Sequence, residues 1–446
     1  MKKIILIICL NFGFTCFSQE HFGGISTSSR VGILNTTLNP AEFANLSKKI
    51  EVNIYGFSFN VSNNIIGFSD LSSDKNFEDL IFQGNEPVNM RIDAEMIGPS
   101  AGVSWKKWGF GLTTKANGKF DLVDIDPNLG SAVTDNIANI IGTSTISNNN
   151  NQRMIGTTWG ELGLSAARTL FENDNNRFSA GVTFKLLFPG SYTNFGLDKF
   201  NGTINYVGNE AYLNNTNASL NFAYSGNLSD SFTNFDDYSN SIFGGLHGLA
   251  TDIGVNYQRK DGDKKYKLNI GLALKNMGSM TFKNDSNSST SYSLVIPGNE
   301  VGINLNQFSG SNSLKDIEKV LQDSGYLTTI VTNKDFKVKL PTVINLYADV
   351  KIIPKLFVTL YTQQKLNDNN SNDQITTQNI ISITPRVNLG FFEAYSSWSN
   401  SEISGLNGGI GIRLGGFYIG SSSVVTALIN DSKQADFYTG FRWAFL

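Results

Sequence analysis

The chain has 446 residues, of which 16% are charged, with 43 glycines, 32 phenylalanines and a formal net charge of −3. A soluble chain of this length would divide into two or three domains, and so little charge with so much glycine and phenylalanine argues against that class. The small net charge, without a basic cluster, argues against nucleic acid as a partner.

In chain order, Met1-Lys2-Lys3 is a positive flank, 4–17 an apolar run, and Cys16 and Ser18 supply small residues before Gln19. This predicts a secretory signal peptide over 1–18, too short to be a retained membrane helix. Gly13, Phe14 and Thr15 fit a lipobox at Cys16 poorly. Cys9 and Cys16 both fall inside the predicted signal, so no disulfide or thiolate metal site is expected in the mature chain.

Residues 19–48 contain no convincing strand. Asn39-Pro40-Ala41-Glu42 reads as N-cap, proline at the first helical position and capping-box glutamate, which predicts a short helix to about Leu46. The segment is either a hatch folded into a barrel or a disordered lead-in. In a hatch, Arg30 would pair with a lumen carboxylate such as Glu161 or Glu393.

From residue 49 onward amphipathic runs recur. They lie at about 49–61, 88–105, 108–121, 153–170, 177–195, 243–260, 266–282, 340–353, 356–367, 375–389, 391–401, 405–415, 417–428 and 434–446. Short polar turns alternate with long Asn/Ser/Asp-rich loops, and no mature segment is apolar for the length of a membrane helix. The prediction is an all-β chain, a transmembrane antiparallel barrel of about fourteen strands over 49–446 with long extracellular loops, in the cell outer membrane. The Asn-rich tracts 148–151, 214–217 and 368–373 are expected to be solvated rather than packed. Helices are expected at 131–141 and after Ser313, where Ser313-Leu314-Lys315-Asp316 resembles a capping box and Gly325 ends the run. The strand register within 196–242 and 283–339 cannot be read from the pattern.

One strand face carries Ile344, Leu346, Ala348 and Val350, then Ile381, Ile383 and Val387, then Leu268, Ile270 and Leu272, and suits lipid. The other carries Glu161, Lys185, Asp252, Lys267 and Lys275 together with Asp349, Lys351, Arg386, Glu393, Arg413 and Arg442, and belongs in the lumen because charge on the lipid face is costly. The last six fall near short turns, which predicts a ring of mixed sign at the periplasmic end. Such a ring either braces the wall or forms a constriction or binding site. The final strand, with Phe437, Phe441, Trp443 and Phe445 on one phase, needs a cover for its apolar face and is read as facing lipid.

No catalytic constellation can be assembled, so no enzyme, cofactor or metal is expected. Gly98-Pro99-Ser100-Ala101-Gly102 matches a nucleophile-elbow pattern but opens a strand instead of joining strand to helix. His21 and His247 have no metal-type partner at close spacing.

The signal, the Gly/Ser-rich lead and Asn39-Pro40-Ala41 ahead of the first strand resemble the long-chain fatty-acid transporter (FadL-type) superfamily of outer-membrane barrels. The Gln19 start and Asn-rich loops are similar to its Bacteroidota relatives. The resemblance implies an N-terminal hatch and passage of a small hydrophobic or amphipathic molecule. In other members it implies a secretion-associated barrel that docks secretion or surface proteins through its loops.

Overall fold

The computed structural model describes residues 21–445 except 73, 75, 135–141, 231–242, 262–264, 284–286, 312 and 430. The predicted signal peptide with both cysteines lies outside the described residues, as does most of the helix expected at 131–141.

Fourteen strands among the described residues form one closed antiparallel ring. They are β1 (Ile50–Asn63), β2 (Val88–Ile97 and Ser100–Trp105), β3 (Trp108–Ile125), β4 (Gln152–Glu172), β5 (Asn176–Val207), β6 (Gly248–Lys260) and β7 (Tyr266–Phe282). There follow β8 (Phe336–Lys339 and Val343–Ile353), β9 (Leu356–Lys365), β10 (Ile380–Asn388), β11 (Phe392–Ser401), β12 (Gly405–Leu414), β13 (Phe417–Ser421) and β14 (Gln434–Phe445). Each strand pairs with the next, and β1 closes on β14 from Ile50↔Phe445 to Ser62↔Gln434. The fold class and the number of strands are those the sequence predicts. Closure abolishes the free sheet edge, so every wall strand can satisfy its backbone within the sheet.

The period of two separates the faces. In β8, Asn345, Tyr347 and Asp349 are buried while Leu346 and Ile352 are exposed. In β10, Ser382, Thr384 and Arg386 are buried while Ile383 and Val387 are exposed. An apolar belt therefore surrounds a polar interior, the inverse of a soluble protein. Trp105, Trp108, Trp443 and Phe445 face outward near the short-turn end, where amphipathic rings suit a membrane interface.

Three local readings change. Lys267 is outward, its side chain 61% exposed and 3.6 Å from Asp261, because a bulge between Tyr266 and Leu268 shifts the phase by one residue. The strand expected at 417–428 stops at Ser421, and Val424–Ile429 forms a short helix. Asp436 accepts from the backbone and hydroxyl groups of Ser421, Ser422 and Ser423 there, offering the chain an alternative to the ladder. The first loop helix begins earlier than expected, at Pro127, capped by Asp126.

Beyond the long-loop end, β5 continues upward with five further strands, Gly142–Asn148, Glu210–Ser225, Ser288–Ile296, Ile303–Asn304 and Leu327–Asn333. All but Gly142–Asn148 lie in the two tracts that the pattern left open, and they set the register of the described residues there. Phe200, Phe222, Leu294 and Leu305 form an apolar core beneath the helix Leu314–Asp323. Ser313 caps that helix, accepting from the Asp316 amide at 3.2 Å and donating to its carboxylate at 2.8 Å.

Candidate functional site: a lumen closed from both ends

Residues 21–48 lie inside the ring against its inner wall. Asn39 caps a 3-10 helix, Pro40–Asn45, by accepting from the Ala41 amide at 2.9 Å. Glu42 is not the reciprocal cap. Its carboxylate turns to the wall and accepts from Asn256 Nδ2 at 2.9 Å, Asn269 Nδ2 at 3.0 Å and the Tyr347 hydroxyl, with Asn45 Nδ2 on its second oxygen at 3.0 Å. Wall donors win because the site is dry: Glu42 is 2% exposed, and a buried carboxylate is tolerated only when its lone pairs are met. Burial pushes its carboxyl above the usual range, opposed by the hydrogen bonds from Tyr347, Asn269 and Asn45.

The wall accepts this helix because glycines line it. A Cβ on Gly254 would lie 2.0 Å from Asn39 Oδ1, and one on Gly109 would lie 1.9 Å from the Phe43 carbonyl oxygen. Further along, Phe22 packs against Tyr418 and Tyr438, and Tyr438 donates to the Gly23 carbonyl at 2.8 Å. His21 reaches Asp93 at 3.1 Å through Nε2 and Ser58 at 3.0 Å through Nδ1. Burial alone would lower the His21 pKa, but the Asp93 carboxylate prevails and holds it above the ordinary value.

The six charges expected near the short turns lie at that end of the barrel, with two qualifications. Glu393 lies between Arg386 and Arg413, 3.5 Å from each, and Arg386 is 3.9 Å from Asp349. Asp349 accepts from Tyr266 at 2.5 Å and Thr359 at 2.7 Å, while Arg386 donates to Thr27 at 3.1 Å and so grips the inserted segment. Arg442 stands apart and bonds Glu51. Lys351 pairs at 2.5 Å with Asp261 on the β6–β7 turn, at the rim rather than within the ring. The expected Arg30 pairing is overturned: Arg30 donates to the Gly390 carbonyl at 3.1 Å, since it lies at the rim where Glu393 already has two arginines.

At mid-height the segment leaves a cavity of ≈ 100 Å³. Phe22, Leu34 and Leu38 line it from the segment, and Trp159 and Val343 from the wall. Glu95, Lys115, Lys119, Glu161, Lys185 and Lys275 supply a charged side. Lys115 pairs with Glu95 at 2.9 Å, Lys119 with Asp93 at 2.7 Å, and Lys185 with Asp252 at 2.9 Å and Glu161 at 3.6 Å. Arg91, Asp93 and Glu95 alternate with Ile92, Ala94 and Met96, a lumen signal present in the sequence but absent from the predicted set.

A loop also crosses the opposite mouth, and only part of the Asn-rich sequence packs there: Asn151 is buried and Asn369, Asn370 and Asn372 are half-buried, while Asn149, Asn150, Asn215, Asn217, Asp368, Ser371 and Asp373 stay exposed as expected. The loop 366–379, between β9 and β10, folds inward and reaches the neighbouring strands β2 to β5. Thr376 bonds Asp121 at 2.6 Å and Arg91 at 3.0 Å. On the next two strands, Arg153 donates to the carbonyls of Asn369 at 2.7 Å and Gln374 at 3.0 Å, and Tyr192 to that of Asn372 at 2.9 Å. Asn151 donates to the Asn370 carbonyl and Asn372 side chain, each at 2.8 Å, so two tracts read separately as solvent-exposed meet here. Asparagine that bonds backbone locally in a free loop can bond equally well across a lumen.

Among solved structures, a TodX monoaromatic hydrocarbon channel mutant aligns over 96% of this chain and 98% of its own at 11% identity, with a TM-score of 0.45. The Pseudomonas putida toluene transporter TodX aligns over 96% and 97% at 9% identity and 0.43. The translocator domain of the autotransporter NalP from Neisseria meningitidis aligns over 90% and 89% at 9% identity and 0.29. The architecture stands on the strand pairing above, not on these likenesses. No curated protein sequence matches the chain. A family model matches residues 40–422, from the proline of the inserted helix to the end of β13, and the chain thus belongs to the family of unknown function DUF5723.

Proposed function

We propose that this protein spans the outer membrane, that residues 21–48 act as its periplasmic hatch, and that it binds or passes a small amphipathic molecule through the lumen. The observation that carries this reading is the mid-lumen cavity, apolar where Phe22, Leu34 and Leu38 line it and charged where Lys115, Glu161, Lys185 and Lys275 do. A wholly apolar passenger would strip water from those charges without replacing its hydrogen bonds. A molecule with a polar end and an apolar end matches both sides. Arg386, paired with Glu393 and bonded to Thr27 of the segment, supports a hatch held by the wall.

Trp159 is 4% exposed and lines the cavity, so its emission reports occupancy. Titration of the purified protein with hexanoate and with hexylamine should change the emission saturably for at least one of them, and Trp159→Phe should remove that change. Emission unaffected by either probe, or a change that persists in Trp159→Phe, would count against the reading.

A second reading, a barrel that docks secretion or surface proteins through its loops, is favoured by the edge of the upper sheet. Leu327–Asn333 pairs on one side with Ser288–Ile296 and has no second neighbour among the described residues, and Ile330 and Val331 are exposed on it. An uncovered edge rich in β-branched residues is a template for an added strand. Loss of partner binding on Ile330→Lys, with the Trp159 response intact, would favour this reading over the first.

A further inference from the structure

We propose that the long-loop mouth carries a divalent-cation site of calcium type between the end of β3 and the loop 366–379. A second cavity, of ≈ 160 Å³, lies there. Its lining includes four carboxylates, Asp121, Asp124, Asp368 and Glu402, against two cations, Arg91 and Lys365. Both cations are committed, Arg91 to Asp121 at 2.6 Å and Lys365 to Glu402 at 2.6 Å. Asp124 and Asp368 keep only amide donors, Asn89 Nδ2 at 3.0 Å and Asn370 Nδ2 at 3.2 Å, with no ion pair among the described residues.

Gln378 makes an independent case. It is 2% exposed, it lines this cavity, and its Oε1 has no hydrogen-bond partner among the described residues. A buried acceptor left unmet is costly and calls for an occupant, a hydrogen-bond donor or a cation, and the carboxylates beside it favour the cation. The two uncommitted carboxylates leave the site with two negative charges, which one divalent ion neutralises. Every available donor is oxygen, which selects a hard cation. No three of Asp, Glu, His and Cys form a ready-made metal cluster among the described residues. A site of two carboxylates, an amide oxygen, carbonyls and water suits calcium, whose coordination is flexible, better than magnesium, which demands a near-ideal octahedron. Such an ion would tie Asp368 on the loop to Asp124 on the wall and so lock the mouth closed.

The test is isothermal titration calorimetry of the purified, EDTA-stripped protein with CaCl2 and, separately, MgCl2. One saturable calcium site per chain is expected, weakened at least tenfold by Asp368→Asn, abolished by Asp124→Asn combined with Asp368→Asn, and unchanged by Glu300→Gln. Gln378→Leu keeps both carboxylates and should still weaken binding. Heat-modifiable gel migration verifies that each variant is folded. The proposal is overturned by absence of a saturable calcium signal from folded protein, by equal affinity in Asp368→Asn and the unaltered chain, or by tighter magnesium than calcium binding.

Discussion

At the scale of single residues, Glu42 and His21 hold the inserted segment by different physics. Glu42 gathers three amide donors and a tyrosine hydroxyl around one buried carboxylate. Glu42→Ala strands those donors, and docking of the segment should weaken by about 3 kcal/mol. With Leu38→Cys as a reporter, maleimide should react slowly in the otherwise unaltered chain and far faster once Glu42→Ala is added. Equal rates would mean that the wall contacts of Glu42 do not hold the segment. His21 adds pH dependence. Its folded-state pKa is raised by Asp93 against the opposing effect of burial, so its contribution is fully present below the unfolded value of about 6.5 and is lost as pH rises through the folded value. Reaction at Leu38→Cys, corrected for the intrinsic reactivity of the thiol, should therefore accelerate as pH climbs above 6.5, and His21→Gln should flatten that profile.

At the scale of elements, the 3-10 helix docks because its wall lacks Cβ atoms at the contact. Gly254→Val would drive a side chain into Asn39 and expel the helix, whereas Gly118→Ala, whose Cβ meets only Thr158 Cγ2 at 3.9 Å, should be silent. Limited trypsin digestion after Lys48 and Lys49, both exposed at the end of the segment, reads the difference, with cleavage expected to be markedly faster in Gly254→Val and unchanged in Gly118→Ala. The mouth loop works in the opposite manner. It has little regular structure of its own and is positioned by wall side chains, chiefly Arg91, Arg153 and Tyr192. Arg153→Met removes bonds to two loop carbonyls and leaves Asn194 without its charged partner. The loop, and not the barrel, is expected to become protease-sensitive.

For the whole molecule, two closures in series make a prediction that neither makes alone. Planar-bilayer recordings should show little current from the intact protein and little from a chain lacking only residues 22–46 or carrying only a shortened 366–379 loop. Large, steady openings should require both changes, because fourteen strands enclose a lumen wider than their own side chains can fill. Steady current from the intact protein would refute the closed lumen. Full current after the first deletion alone would show that the loop does not seal the mouth.

The period-two alternation, the short turns at Lys106-Lys107, Pro354-Lys355 and Gly415-Gly416, and the aromatic final strand were enough to specify a barrel and its strand count. These signals are local, and strand pairing between sequence neighbours leaves little else to decide. Alternation also assigned Arg386, Glu393, Arg413 and Arg442 to the inward face, because lumen and lipid impose opposite polarity on successive residues. Long-range choices lay beyond its reach. Whether Glu42 capped its own helix or turned to Asn256, Asn269 and Tyr347 depended on strands more than two hundred residues away. Lys267 turned outward through a one-residue bulge, and bulges carry no strong sequence mark. An Asn-rich loop reads as solvated by composition, yet it crosses the mouth because Arg91, Arg153 and Tyr192 meet its polar groups there. The local pattern determined the wall; what fills the wall was decided by tertiary contacts, since a polar group accepts whichever partner the closed ring brings within reach.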